Sequence, residues 1–79
     1  MEAKYIRTKN DEIIVFSSLL VHSEFKRFEP KSAGFINILV DDQGNTKCIC
    51  YGMSISLDLE SNPKEDTELA TLQILLRYF

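Results

Sequence analysis

The spacing of apolar and polar residues divides this chain into a series of short strands followed by one helix. Lys4–Lys9, the pair Asn10-Asp11 and the run Glu12–Phe16 predict two antiparallel strands around a tight turn, because Asn and Asp tolerate left-handed backbone. Between Ser17 and Phe28 two readings compete. A serine can cap a short helix that carries Val21, Phe25 and Phe28 on one stripe at i, i+4 and i+7. Equally, the β-branched run Ile13–Val21 lets the second strand continue through Ser17 and Ser18. Pro30 ends either version, since it lacks an amide donor and restricts the residue before it.

Phe35–Val40 is almost continuously apolar and predicts a central strand. Asp41-Asp42-Gln43-Gly44-Asn45 then supplies a turn, with Gly44 suited to positive φ. From Lys47 to Leu59 the alternation is regular. Ile49, Tyr51, Met53, Ile55, Leu57 and Leu59 fall on one side, and Cys48, Cys50, Gly52, Ser54, Ser56 and Asp58 on the other. Gly52 marks either a bulge or a division into two strands. Asn62-Pro63 followed by Glu65 has the form of a helix start, and the helix is predicted over about 63–78. Asp66 and Glu68 suit its positive end and Arg77 its negative end.

That helix carries more apolar surface than one sheet requires. Leu69, Leu72, Leu75, Leu76 and Phe79 make one stripe, and Ala70, Ile74 and Tyr78 a second at i, i+4, i+8. With the first stripe on the sheet, the second is left for a contact, and a homodimer through paired C-terminal helices is the leading expectation. The alternative is that the helix between the second and third strands covers the second stripe within the same subunit.

At 79 residues and 44% hydrophobic, the chain is expected to form one domain, 1–79, with no repeat or linker. A domain this short buries only roughly 60–65% of its unfolded surface, so a partner can add much to its stability. The net charge of −3 argues against direct nucleic-acid binding by counterion release. The distribution is uneven: residues 1–31 sum to +1, whereas residues 41–68 carry seven acids against Lys47 and Lys64. Asp58, Glu60 and Asp66 in that stretch are candidates to steer a basic protein partner. No apolar run reaches the ~20 residues of a membrane span, and an intracellular, cytoplasmic protein that does not contact membrane is expected.

Signals for chemistry are few. Cys48 and Cys50 lie two apart on a strand, where a disulfide is strained, and with His22 they supply only three of the four ligands of a closed zinc site. No phosphate-cradling glycine motif occurs, and His22 has no nucleophile elbow beside it. Neither enzyme activity, a cofactor nor a metal is therefore expected. One polar group remains: Ser54 and Ser56, joined by His22, form a candidate site for a small, nucleotide-like ligand.

The segments His22–Lys26, Ser32–Ile36, Cys50–Leu57 and Glu65–Ala70 resemble pieces of small proteins of phages and bacterial mobile elements. The resemblance implies a protein that disables a host defence system, either by binding a component as anti-CRISPR proteins do or by sequestering a signalling nucleotide. It carries no assigned site residue. The sequence thus predicts an α+β fold, about four antiparallel strands with a C-terminal helix on one face and a short helix between strands two and three. Its expected function is non-enzymatic partner binding through Asp58, Glu60, Asp66, Ala70, Ile74 and Tyr78, with ligand binding at His22, Ser54 and Ser56 as the alternative.

Overall fold

The computed structural model describes residues 1–78, with side-chain surroundings given through Ile74. Strands β1 (Glu2–Arg7), β2 (Ile13–Phe16), β3 (Ser32–Val40) and β4 (Thr46–Tyr51) form one antiparallel sheet in the order β2-β1-β3-β4. A second hairpin, β5 (Met53–Ser54) with β6 (Leu59–Glu60), follows β4, and helix α1 (Pro63–Tyr78) closes the chain. A 3-10 helix over His22–Phe28 joins β2 to β3. The α+β class and the helix on one face of a four-stranded sheet are as expected.

The turns form where their residues compel them. Asp11 adopts φ 65° in the β1–β2 turn, where Thr8 Oγ1 accepts the amides of Asn10 and Glu12. In the β3–β4 turn Asp41 Oδ1 accepts the amides of Gln43 and Asn45, and Gly44 takes φ 82°. The predicted strand from Lys47 to Leu59 is three pieces. Gly52 at φ 78° breaks it, and the chain turns back on itself so that Met53 pairs with Glu60 and Ser54 with Leu59. The short helix expected between β2 and β3 is present as a 3-10 helix, without the serine cap, and β2 does not continue through Ser17 and Ser18. The 3-10 turn begins after Val21, whose amide is accepted by Glu24 Oε2, and ends at Glu29 in the left-handed region.

Paired residues of antiparallel strands share a face, so the registers assign both sides of the sheet. Tyr5 with Val15 and Gly34, Ala3 with Ile36, Ile36 with Cys50, and Ile38 with Cys48 lie under α1. Within β4 it is therefore the cysteine side that is buried, while Ile49 stands partly in solvent. The helix-side core comprises Ala3, Tyr5, Ile13, Ile36, Cys48, Cys50 and Ala70, with Val15, Ile38, Leu69 and Ile74 packed against it. Burial pushes the Cys48 thiol up, and it raises the Cys50 thiol to about 12. On the opposite face Ile6, Phe16 and Ala33 form a second cluster, covered by Phe25 and Phe28 of the 3-10 helix and by Leu57 and Leu59 of the second hairpin.

The helix seats on Leu69 together with Ala70 and Ile74, and not on the side that Leu69 shares with Leu72. Ala70 is fully buried and Ile74 packs on the same core, whereas Leu72 is 59% exposed. The expectation that Ala70 and Ile74 form a free contact stripe is thus corrected, and with it the route to a dimer through that stripe. Tyr78, the third member, has its side chain outside the described residues. Polar anchors explain the rotation. Asp66, one helical repeat before Ala70, is completely buried, not the surface acid expected of a steering patch. Its Oδ2 accepts Tyr5 Oη, Ser32 Oγ at 2.7 Å and the Asn62 amide at 2.9 Å, while Arg7 Nη1 reaches Oδ1 at 3.3 Å. Further along, Thr67 Oγ1 accepts the Cys50 amide, and Gln73 bonds both the Ile13 amide and the Asp11 carbonyl at 2.7 Å. These contacts place Asp66, Ala70 and Ile74 inward because a buried polar atom without a partner costs more than an exposed leucine.

Candidate functional site

The sheet face opposite α1 is only half covered. The 3-10 helix and the β5–β6 hairpin lie over Ile6, Phe16 and Ala33, and beyond them a groove of about 580 Å³ opens on the remaining face. Lys4, Phe35 and Tyr51 are consecutive cross-strand partners on β1, β3 and β4, and they make its floor. Phe35 and Tyr51 stack with ring centroids 5.9 Å apart. Val21 and His22 form one wall, and Gly52, Met53, Ile55 and Ser56 the other.

His22 is held by both its polar and its apolar atoms. Nε2 donates to the Gly34 carbonyl at 2.8 Å, and the ring stands edge-on to Phe16 and Phe35 at centroid distances of 5.4 and 6.0 Å. Burial, with the nearby Lys4 charge, lowers its pKa, and the Gly34 carbonyl opposes this in part. At neutral pH the ring is a neutral donor. The unfolded chain, titrating near the ordinary value of 6.5, takes up its proton first as pH falls. Stability is therefore expected to decline as pH drops through that value toward the lowered folded one, and to level off below it. Denaturant midpoints measured from pH 8 to 5 should show this decline in the wild type and not in His22→Phe; equal slopes would contradict it.

Of the two serines only Ser56 shares the groove with His22, and both hydroxyls already have structural work. Ser56 Oγ accepts the Ser23 amide at 3.2 Å, tying the hairpin to the 3-10 helix. Ser54 is buried, accepts the Leu57 amide and lies 3.5 Å from Ser56 Oγ. Only His22 and Ser56 of this trio line the groove. Lys4 Nζ donates to the Leu20 carbonyl at 2.7 Å, and Tyr51 Oη donates to Glu2, whose carboxylate raises the tyrosine pKa.

The groove walls are mainly apolar and stand in solvent. Val21, Met53 and Ile55 are 48%, 42% and 87% exposed. Sequence reasoning did not single out Lys4, Phe35, Tyr51, Met53 or Ile55, because in the linear pattern they read as ordinary strand positions. Their shared surface depends on the fold-back at Gly52, and the glycine was the only local sign of it.

The remaining sequence candidates are scattered. Asp58 and Glu60 are exposed on the hairpin, Glu60 paired with groove-lining Met53. Asp66 lies in the helix-side core, far from solvent. Among the described residues no helix is long and apolar enough to cross a membrane. Compared with family models, with curated proteins and with solved structures, the chain finds no match.

Proposed function

We propose that this protein is a non-enzymatic binding protein whose contact surface is the open half of the sheet, centred on the Phe35–Tyr51 groove. The observation that carries this is the concentration of exposed Val21, Met53 and Ile55 around one aromatic floor. A contiguous apolar patch of this kind on a small domain commonly marks an interaction site. Asp58 and Glu60 on the adjoining hairpin favour a partner with an apolar centre and a basic rim. A stoichiometric inhibitor of a basic partner, as the resemblance to phage and mobile-element proteins implies, is the form of this function that fits the charge pattern.

The test compares two exposed sites on opposite faces. Captured partner is expected to be lost with Ile55→Asp and retained with Leu72→Asp, because only the first alters the groove wall. Equal capture by both variants overturns the assignment of the surface.

One observation favours a second reading, a nucleotide-like small ligand: His22 and Ser56 meet at a groove floored by stacked rings. A volume of about 580 Å³ lies within the roughly 300–1,000 Å³ of small-molecule sites. Ligand binding stabilises the folded state by mass action. A nucleotide panel should then raise Tm in the wild type and not in Tyr51→Ala, and a flat response across the panel removes this reading.

A further inference from the structure

We infer that the partner seated on the open face is a second copy of this chain, paired about a two-fold axis. This inference names the occupant of the surface proposed above and rests on that reading. On β4, Lys47, Ile49 and Tyr51 point to the open face, since their partners Leu39, Asn37 and Phe35 do. Beyond Gly52, Met53 lines the groove and pairs with Glu60, which puts that carboxylate beside it. Lys47 and Glu60 are both exposed, and among the described residues neither joins an ion pair.

The face therefore ends in an unpaired cation at one extremity and an unpaired anion at the other, with Ile49 and Tyr51 between. Lys47 and Tyr51 lie about 13 Å apart along β4, and just past the turn at Gly52 the hairpin sets Met53 and Glu60 at the Tyr51 end. An isologous contact brings the same patch together twice in opposite directions, so residue i meets j and j meets i. A dyad lying between two such faces, at right angles to β4 and level with Cys50, carries Lys47 of one copy to the hairpin end of its partner, where Glu60 stands. The same operation sets Ile49 over Tyr51, and both contacts occur twice.

Local charge permits the pairing although the whole chain carries −3. The registers place Glu2, Lys4 and Lys47 on this face, and Asp58 and Glu60 lie on the adjoining hairpin, so two cations stand against three acids there. Most of the acidic excess lies elsewhere, in residues such as Asp41, Asp42 and Glu68. The second copy thus supplies an apolar centre for the groove and, in Lys47, a cation for Glu60.

Sedimentation velocity over a concentration series tests this with the wild type, Lys47→Glu, Glu60→Lys and the double exchange. The wild type should dimerise, each single reversal should weaken the dimer by about tenfold, and the double exchange should restore it. Both sites are exposed and among the described residues join no ion pair, so folding is not at stake, and circular dichroism checks that. A wild type that stays monomeric, or a dimer indifferent to all three variants, overturns the inference. If the wild type is monomeric yet Ile55→Asp abolishes partner capture, the face serves a different protein; the dimer then falls and the surface assignment stands.

Discussion

Replacing Asp66 with alanine is expected to cost about 3–5 kcal/mol, enough to leave much of the protein unfolded. The magnitude follows from what the carboxylate holds. Tyr5 Oη, Ser32 Oγ, the Asn62 amide and the Arg7 guanidinium all donate to it, and the Tyr5 and Asp66 side chains are buried. Burial works against the Arg7 charge, yet its hydrogen bonds to Glu65, Asp11 and Asp66 outweigh that and raise its pKa. Removing Asp66 leaves three neutral donors without their acceptor and takes from largely buried Arg7 one of its three carboxylates, and each lost acceptor in a buried site costs about 1–3 kcal/mol. A domain of 79 residues has about 4–12 kcal/mol in total. Glu65→Ala is the control: Glu65 also binds Arg7, at 2.6 Å, but is exposed, so about 1 kcal/mol or less is expected. Urea denaturation followed by circular dichroism measures both. A loss under 1 kcal/mol for Asp66→Ala would show that the network does not seat the helix.

Gly34→Ala should lower Tm by about 10 °C or more, the second largest effect anticipated. A Cβ at this position would stand 2.4 Å from the Tyr51 carbonyl oxygen and 3.3 Å from both the Gly52 carbonyl carbon and Ser61 Cβ. Two of these three are backbone atoms, which cannot rotate away, so β3 must move from the start of the second hairpin. The Gly34 carbonyl also accepts from His22, and that movement opens the groove wall. Gly44→Ala separates crowding from backbone strain. Gly44 has nothing within 4 Å of a new Cβ but sits at φ 82°, so only about 1 kcal/mol is expected there. Calorimetry of the two variants should rank Gly34→Ala well below Gly44→Ala; the reverse order would mean that the close approach at Tyr51 is readily relieved.

What could be read from the sequence was local. The Asn10-Asp11 and Asp41–Asn45 turns, the central strand, the break at Gly52 and the start of α1 at Asn62-Pro63 each rest on a few neighbouring residues whose conformational preferences agree with the fold. The face of α1 did not follow from its own residues. Five large apolar side chains outweighed Ala70 and Ile74 in the linear pattern, yet the helix is oriented by Asp66, Thr67 and Gln73, whose partners on the sheet and the β1–β2 turn lie 17 to 62 residues away. A buried carboxylate looks the same in sequence as a helix-start carboxylate in water. For the same reason the three candidate acids divide into two exposed hairpin residues, Asp58 and Glu60, and one buried residue, Asp66. The ligand-site alternative fared differently: His22 and Ser56 do meet, but the groove they line owes its floor to cross-strand neighbours that no local pattern joins.

The most direct measurement of where this protein makes contact uses its own silent thiols as background. Cys48 and Cys50 are buried under α1 with raised pKa values, so alkylation of the folded chain should report only on an introduced cysteine. Ile55→Cys places one on the open face and Leu72→Cys one on the outward side of the helix, both at exposed positions. With rising protein concentration, or with captured partner added, the account predicts that Ile55→Cys becomes protected while Leu72→Cys keeps its monomer rate. Protection at Leu72→Cys with Ile55→Cys unchanged would contradict it and return the contact to the helix.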